Sequence, residues 1–164
     1  QYGPGGYDEV EFLISTNPGM PMRPLGMVAS GGELSRIMLA IKAVLADTDD
    51  IPTVIFDEID TGISGRTAQK VSEKLCYIAG SHQVICITHL PQIAAMADVH
   101  FEIVKQARKG VTVTSIRELG NEEMTAELAR LLGGAEITEA VYDNAREMKR
   151  LAEERKQTEK ATRE

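Results

Sequence analysis

The residues best suited to chemistry lie in three short elements that follow one another along the chain. The first, residues 30–33, reads Ser-Gly-Gly-Glu and opens an amphipathic stretch. The second, 53–58, is an apolar run that ends in Asp-Glu, and the third, 84–89, is an apolar run that ends in Thr-His. Backbone amides at a helix start, paired carboxylates and an imidazole are groups that a nucleotide hydrolase uses. The phosphate loop G-x-x-x-x-G-K-[ST] does not occur in this sequence.

The glycine pair suits the approach of a phosphate. Gly31 and Gly32 leave the backbone open, and a helix that starts there offers unpaired N–H groups and a partial positive charge. Ser30 stands at the predicted N-cap, and Glu33 in the first turn favours the helix. The same four residues also fit a capped helix that follows a flexible turn.

The two acidic side chains at the end of the second element suit a metal-assisted hydrolysis. Adjacent strand residues point to opposite sides, so Asp57 can hold Mg²⁺ through a water while Glu58 acts as a general base on the attacking water. The simpler alternative is a solvated turn.

His89 and Asp60 are the remaining candidates. The imidazole of His89 can hydrogen-bond a terminal phosphate or the attacking water, although a structural histidine fits the position as well. Asp60, in the Ile-Asp-Thr-Gly run after the carboxylates, fits turn chemistry. His82 and His100 are interpreted as surface or edge residues.

The elements around these residues predict an α/β fold with a mostly parallel sheet flanked by helices. Apolar residues at helical spacing follow residue 31, and a second helix lies between Gly65 and Gly80. The runs 53–57 and 83–88 are apolar on both faces, which predicts strands buried inside a parallel sheet. Ligands of such sheets bind beyond the carboxyl ends of the strands, where Asp57, Glu58 and His89 would lie.

The rest of the chain is predicted to complete a single domain, 1–164. Residues 1–8 are interpreted as a linker or the start of a fragment. Further predictions follow from alternation, turn residues and caps: a strand over 9–15, a proline-rich loop over 16–27, an antiparallel hairpin of 99–105 with 111–118, a helix over 121–132 and a last helix from Thr138. The charged residues 153–164 are expected to fray.

Composition narrows the function classes. The chain has 164 residues, 43% hydrophobic, with a net charge of −7, which describes a globular protein and argues against a general nucleic-acid coat. Cys76 and Cys86 lack metal-ligand spacing and indicate a reducing, cytoplasmic setting. The sequence contains no apolar run of membrane-spanning length and no signal peptide, so no membrane partner is expected.

Taken together, the three elements resemble the C-terminal half of an ATP-binding-cassette (ABC) ATPase head. Residues 30–33 are similar to its signature motif, 53–58 to its Walker B strand, 58–62 to its D-loop and His89 to its switch histidine. Glutamate at position 33 is similar to the SMC-like branch, since transporters usually carry glutamine there. The strings 10–19, 28–36, 56–65 and 87–94 resemble the RecN family of bacterial DNA-repair proteins.

The resemblance implies a division of labour across two heads. The phosphate loop would lie in an N-terminal lobe, separated from this lobe by a coiled coil, and two heads would sandwich two ATP molecules. Ser30, Gly31, Gly32 and Glu33 would face the nucleotide of the partner head, and Asp60 would reach across the interface.

The resemblance also implies roles toward the ATP that is bound by the same head. Asp57 would bind Mg²⁺ at this ATP, and Glu58 and His89 would take part in its hydrolysis. The full-length protein would act on DNA during double-strand-break repair in the nucleoid, whereas the isolated chain would not hydrolyse ATP.

Three other functions stay open at this stage. The chain could be a non-catalytic dimerisation module with an ABC-like fold, or a lobe of another ABC-class ATPase such as a transporter-coupling one. A third hypothesis places DNA binding on the hairpin, at Lys105, Arg108 and Lys109.

Overall fold

A computed structural model describes residues 6–8, 10–15, 19–27, 30–46, 48, 50–108, 111–134 and 136–163. The helices and strands, in chain order, are β1 (Leu13–Ile14), β2 (Arg23–Pro24), α1 (Gly31–Leu45), β3 (Thr53–Phe56), α2 (Gly65–Ala79), β4 (Gln83–Cys86), α3 (Pro91–Ala94), β5 (Phe101–Arg108), β6 (Val111–Glu118), α4 (Asn121–Gly133) and α5 (Glu139–Arg163). The α/β class predicted from the sequence is confirmed.

The parallel pair β3–β4 positions the candidate site. The two strands run in register from Thr53 opposite Gln83 to Phe56 opposite Cys86, and α2 makes the crossover between them. The N–H of Ile87 donates to Phe56 O at 3.0 Å, so the pairing continues one residue past β4. Both strands therefore deliver the residues that follow them to the same edge, as expected for parallel neighbours.

The main hydrophobic core lies between this pair and the helices α1, α2 and α3. Its fully buried members come from five different elements or loops, which ties the strand ends to all three helices. They are Leu39, Phe56, Ile59, Val71, Leu75, Ile78 and Ile93. Ile59, which is 0% exposed, anchors the loop after β3 in this core.

One face of the parallel pair is open, which corrects the prediction of strands buried on both faces. Ile55 is 65% exposed, Ile85 45% and Ile87 50%. Phe56, next to Ile55, is 3% exposed on the opposite face. The apolar run predicted burial on both sides, but the described residues supply a covering layer on one side alone, so the second face stays in solvent.

A second core joins α3, α4 and α5 through small side chains. Ala94, Ala95, Ala129, Ala145 and Leu128 are all buried, and close helix approach depends on the short alanine side chains. This region contains the last helix, α5, which is one of the longest elements of the chain.

The last helix also corrects the expectation that residues 153–164 fray. α5 continues to Arg163. Ion pairs support its second half, since Lys156 Nζ lies 2.8 Å from both Asp98 Oδ1 and Glu153 Oε1, and Arg155 pairs with Glu73 at 3.4 Å. Charge density alone predicted a frayed end, but the pairs with Asp98 and Glu73 attach the helix to the rest of the chain.

The hairpin is confirmed, whereas the first predicted strand is mostly absent. β5 and β6 pair antiparallel from Phe101 opposite Glu118 to Arg108 opposite Val111. Of the predicted strand 9–15, the structure retains β1, which pairs with β2, and residue 9 lies outside the described residues. Residues 109 and 110, between β5 and β6, also lie outside the described residues. None of the helices in the described ranges is long and apolar enough to cross a membrane.

Candidate functional site at the carboxyl end of the parallel strands

The start of α1 has the cap that the sequence predicts. Ser30 is extended, with φ −103°, and its hydroxyl accepts the N–H of Glu33 at 3.2 Å. The same hydroxyl donates to Glu33 Oε2 at 2.9 Å. Serine and glutamate thus bind each other around the first turn, and the glutamate bonds the serine hydroxyl where a capping box would use the serine backbone N–H. This arrangement fixes where the helix begins and leaves Ser30 and Gly31 exposed at its N-terminus.

The glycine pair lets α1 press against the loop that follows β3. A Cβ at Gly32 would lie 2.9 Å from both Glu58 O and Thr61 O, which is closer than real Cβ atoms come. A Cβ at Gly31 would collide with the Glu58 carboxylate. The absence of a side chain at 32 is therefore a packing requirement, besides any role toward a phosphate, whereas a side chain at 31 would displace only the end of the Glu58 side chain.

Two polar side chains one turn further along α1 hold the same loop, and the sequence analysis missed both. Ser35 Oγ donates to Asp57 O at 2.6 Å. Arg36 Nη1 donates to Ile59 O at 3.2 Å and to Thr61 O at 2.8 Å. The signal in the sequence was weak, because a serine and an arginine on a helix most often face solvent. These three hydrogen bonds consequently hold the start of α1 against the loop 57–62.

Asp57 and Glu58 are both exposed at the end of β3. The N–H of Glu58 donates to Asp57 Oδ1 at 2.8 Å, which fixes the orientation of the Asp57 carboxylate. Glu58 has φ +56°, in the left-handed region that a residue with a Cβ occupies at a cost of about 1–2 kcal/mol. Strain of this kind concentrates at functional sites, where the surrounding contacts hold it in place.

Asp60 differs from the two acids before it because it is buried, at 4% exposed. Its Oδ2 accepts the hydroxyl of Thr88 at 2.7 Å and the N–H of His89 at 2.8 Å, and it lies 3.0 Å from His89 Nδ1. Burial acts to raise the pKa of this carboxyl, but the hydrogen bonds from Thr88 and His89 and the nearby imidazole outweigh it and hold the pKa below its usual value. Asp60 therefore carries a negative charge inside the fold.

The structure brings most of the predicted residues to one edge. His89 is bonded to Asp60, and Glu58 lies against Gly31, so the imidazole, the acids and the start of α1 all adjoin the single loop 57–62. The side chain of His89 is 73% exposed and open to a ligand. Asp60, expected to reach across an interface, is directed at Thr88 and His89 of its own chain.

The edge also fits the metal that Asp57 is predicted to serve. One oxygen of Asp57 accepts a backbone N–H, and the carboxylate remains exposed for a second partner. No cluster of three metal-ligating side chains occurs in the described part of the chain. A single carboxylate is sufficient for Mg²⁺, which keeps several waters and takes its other ligands from nucleotide phosphates.

The other two histidines do not join this edge, and the interpretation of both as surface or edge residues needs correction for His82. His82 is 8% exposed, and its Nδ1 lies 2.9 Å from Ser81 Oγ. His100 is half-buried, and burial lowers the pKa of its imidazole.

A concave pocket of about 250 Å³ lies away from the candidate edge, between α2, α3 and α5, beside Gln92 and Met148. At the candidate edge, Asp57, Glu58 and His89 are exposed to solvent.

Comparison with known proteins identifies close relatives. No protein-family model matches the chain. It is 51% identical over 147 residues to the DNA repair protein RecN of Halalkalibacterium halodurans, 48% over 153 residues to that of Bacillus subtilis and 50% over 145 residues to that of Vibrio cholerae. These alignments cover 88–93% of the chain but 26–27% of each relative. The chain therefore spans about a quarter of the length of the curated relatives it matches.

Proposed function

The chain belongs to the RecN family of DNA repair proteins, and we propose that it forms the C-terminal lobe of an SMC-like ATPase head that acts in double-strand-break repair. The lobe supplies the signature, Walker B and switch-histidine residues. An N-terminal lobe of the same protein supplies the phosphate loop, and a coiled coil joins the two. The protein works in the cytoplasm, on chromosomal DNA.

One observation carries this proposal: the convergence of four polar groups on the loop 57–62. The exposed carboxylates of Asp57 and Glu58, the exposed imidazole of His89 and the start of α1 adjoin this loop. A dimerisation module without catalysis would need none of these groups to be exposed together. The strained backbone of Glu58 adds weight, because a solvated turn has no reason to hold a non-glycine residue at φ +56°.

Each residue then has a role toward the nucleotide of its own head. Asp57 binds Mg²⁺, which when bound neutralises phosphate charge. Glu58 accepts a proton from the attacking water or orients it, since its carboxylate is exposed and lies beside Gly31. His89 Nδ1 faces Asp60 and its Nε2 is available to the terminal phosphate or to the water.

The start of α1 serves the nucleotide of a second head. Ser30 and Gly31 are exposed at a helix N-terminus, where N–H groups and the helix dipole favour an anion. In this role Ser30, Gly31, Gly32 and Glu33 contact the γ-phosphate held by the partner's phosphate loop. ATP therefore joins the two heads, and hydrolysis releases them.

Glu58→Gln in the full-length protein is the direct test of catalysis. The amide keeps the size of the side chain but cannot take a proton, so turnover is expected to fall by about 10²–10⁴ while ATP binding persists. Steady-state ATPase rates and nucleotide binding measure the two effects. The matched control is Glu73→Gln on α2, far from the loop 57–62, which should keep wild-type turnover. Unchanged turnover in Glu58→Gln would remove Glu58 from the role.

Ser30→Arg tests whether the start of α1 contacts the nucleotide of a second head. A long cation at the start of α1 should leave ATP binding by a single head intact and prevent ATP-dependent head association. Sedimentation with and without ATP measures this association. A variant that still dimerises with ATP would contradict the cross-subunit role of the α1 N-terminus. The isolated chain, which has no phosphate loop in its sequence, should show no ATPase activity that depends on Glu58.

A further inference from the structure

The loop 57–62 contains one acid that the proposed chemistry leaves without a task. Asp60 is the only buried carboxylate among the described residues, at 4% exposed, whereas Asp57 and Glu58 nearby are exposed. A buried charge is costly unless hydrogen bonds compensate for it. The bonds that compensate for Asp60 come chiefly from Thr88 and His89, 28 and 29 residues further along the chain, with a smaller contribution from its own backbone N–H.

These bonds form a chain in which each donor is oriented toward Asp60. The N–H of Leu90 donates to Thr88 Oγ1 at 3.0 Å, so the hydroxyl of Thr88 is oriented to donate onward to Asp60 Oδ2 at 2.7 Å. The backbone N–H of His89 reaches the same oxygen at 2.8 Å. Asp60 Oδ2 is thereby held in one place, and the imidazole Nδ1 of His89 lies 3.0 Å from it.

We propose that Asp60 is a positioning residue for His89: its buried carboxylate fixes Nδ1 as the inward, proton-bearing nitrogen and so presents Nε2 to the nucleotide. An ionised carboxylate can only accept a hydrogen bond, so the nitrogen that faces it carries the proton. The partner of one ring nitrogen then determines what the other nitrogen can do. This inference rests on the proposed role of His89 in ATP hydrolysis.

His89 needs such a partner because the rest of its side chain lacks support. The side chain is 73% exposed, and an imidazole in water rotates freely between several orientations. A fixed carboxylate beneath the ring removes that freedom, as second partners of functional histidines do elsewhere. Asp60 thus acts within its own head, in place of the cross-interface role that the resemblance implied.

The test is a double-mutant cycle in the full-length protein, with Asp60→Asn, His89→Ala and the double variant. The amide oxygen of Asp60→Asn can still accept the bonds of Asp60 Oδ2, but the lost charge no longer holds the proton on Nδ1, so kcat is expected to fall about 10–100-fold. KM for ATP should change less than kcat does, because the loss of an interaction that forms in the transition state lowers kcat. In the His89→Ala background Asp60→Asn should cost no further turnover, since residues that act through one another are not additive.

Thr88 supplies a second, milder pair of variants. Thr88→Val keeps the shape but removes the hydroxyl that orients Asp60, and kcat should fall by about threefold to tenfold. Thr88→Ser keeps the hydroxyl and should retain more turnover than Thr88→Val. If Asp60→Asn fails to fold, as judged by circular dichroism and melting, the Thr88 pair decides the question.

Two results would overturn the inference: wild-type kcat in Asp60→Asn, or losses from Asp60→Asn and His89→Ala that multiply in the double variant. Equal turnover in Thr88→Val and Thr88→Ser would do the same. Failure of the proposed function has a different signature, because Glu58→Gln and His89→Ala would then both keep full turnover. The two failures are therefore distinguishable in one set of assays.

Discussion

The strand-end edge and the last helix both carry many charged groups, but they use them in opposite ways. At the edge, Asp60 is 4% exposed and its bonds go to Thr88 and His89 at 2.7–3.0 Å. On α5, Arg150 is paired with Glu147 and Glu154, while all three side chains are more than half exposed. The edge has a few bonds that converge on one buried carboxylate, and the helix has many bonds between exposed side chains.

This difference determines what each region contributes. A buried hydrogen bond to a charge fixes one geometry, because breaking it leaves the charge without solvent. An exposed ion pair can be replaced by water at little cost. We therefore expect substitutions at the edge to change both stability and turnover, and substitutions on the surface of α5 to change neither strongly.

The largest effect should come from the apolar anchor of the edge, Ile59. Ile59 and Ile78 are both 0% exposed in the same core, but only Ile59 lies between Glu58 and Asp60. Ile59→Ala and Ile78→Ala should each lower the free energy of unfolding by about 2–5 kcal/mol. Urea denaturation of the chain measures this loss.

Ile78→Ala is the matched control for turnover. In the full-length protein at a temperature where both variants are folded, Ile59→Ala should lower kcat through displacement of its two acidic neighbours, whereas Ile78→Ala should not. Equal kcat losses in both variants would show that the edge has no special sensitivity to its anchor.

The glycine pair gives the next effect in size. Alanine at 32 gains about 1 kcal/mol of helix propensity, but its Cβ would lie 2.9 Å from two backbone oxygens, so overpacking should prevail by about 1–3 kcal/mol. Alanine at 31 meets only the end of the Glu58 side chain, which can turn away. Gly32→Ala should thus lower the urea midpoint and Gly31→Ala should not, while Gly31→Ala should lower ATPase turnover in the full-length protein. An unchanged midpoint in Gly32→Ala would contradict the close packing of α1 on the loop.

Much of the fold was predictable from local patterns. Ser30 with Glu33 marked the start of α1, Gly80 marked the end of α2, and the apolar runs located β3 and β4. Local rules work here because caps and periodicity depend on residues a few positions apart. The open face of Ile55 was not predictable, since an apolar run shows which residues avoid water and not whether a covering layer is present.

The candidate site was predictable as a set of residues but not as a network. Asp57, Glu58 and His89 were identified from their positions at strand ends. The roles of Asp60, Ser35 and Arg36 depend on contacts between residues 22 to 29 positions apart, which only the packing of α1 and β4 on the loop creates. Burial of Asp60 had no local signature, because its Ile-Asp-Thr-Gly surroundings read as an ordinary turn.

A smaller effect should appear in the pH dependence of stability. The pKa of Asp60 is held below its usual 3.8, so its bonds stabilise the fold fully above about pH 4 and lose that contribution as pH falls through the lowered pKa. Asp60→Asn lacks this ionisation. The difference in urea midpoint between wild type and Asp60→Asn should therefore be largest at neutral pH and shrink below pH 4. A difference that stays constant down to pH 2 would show that folding does not lower the pKa of Asp60.

The smallest effect is expected on the exposed face of α5, at Arg150. The hydrogen bond with Glu147 raises the pKa of its guanidinium, but arginine is charged at every accessible pH in any case, so this shift cannot appear in a stability curve. Lys156 is the matched comparison, since its side chain is 11% exposed, against 53% for Arg150, and it reaches Asp98 outside the helix. Arg150→Gln should lower the melting temperature of the chain less than Lys156→Gln does, and salt should reduce the Arg150 effect more, because exposed pairs are screened first. A larger shift from Arg150→Gln would mean that burial does not decide which charges stabilise this protein.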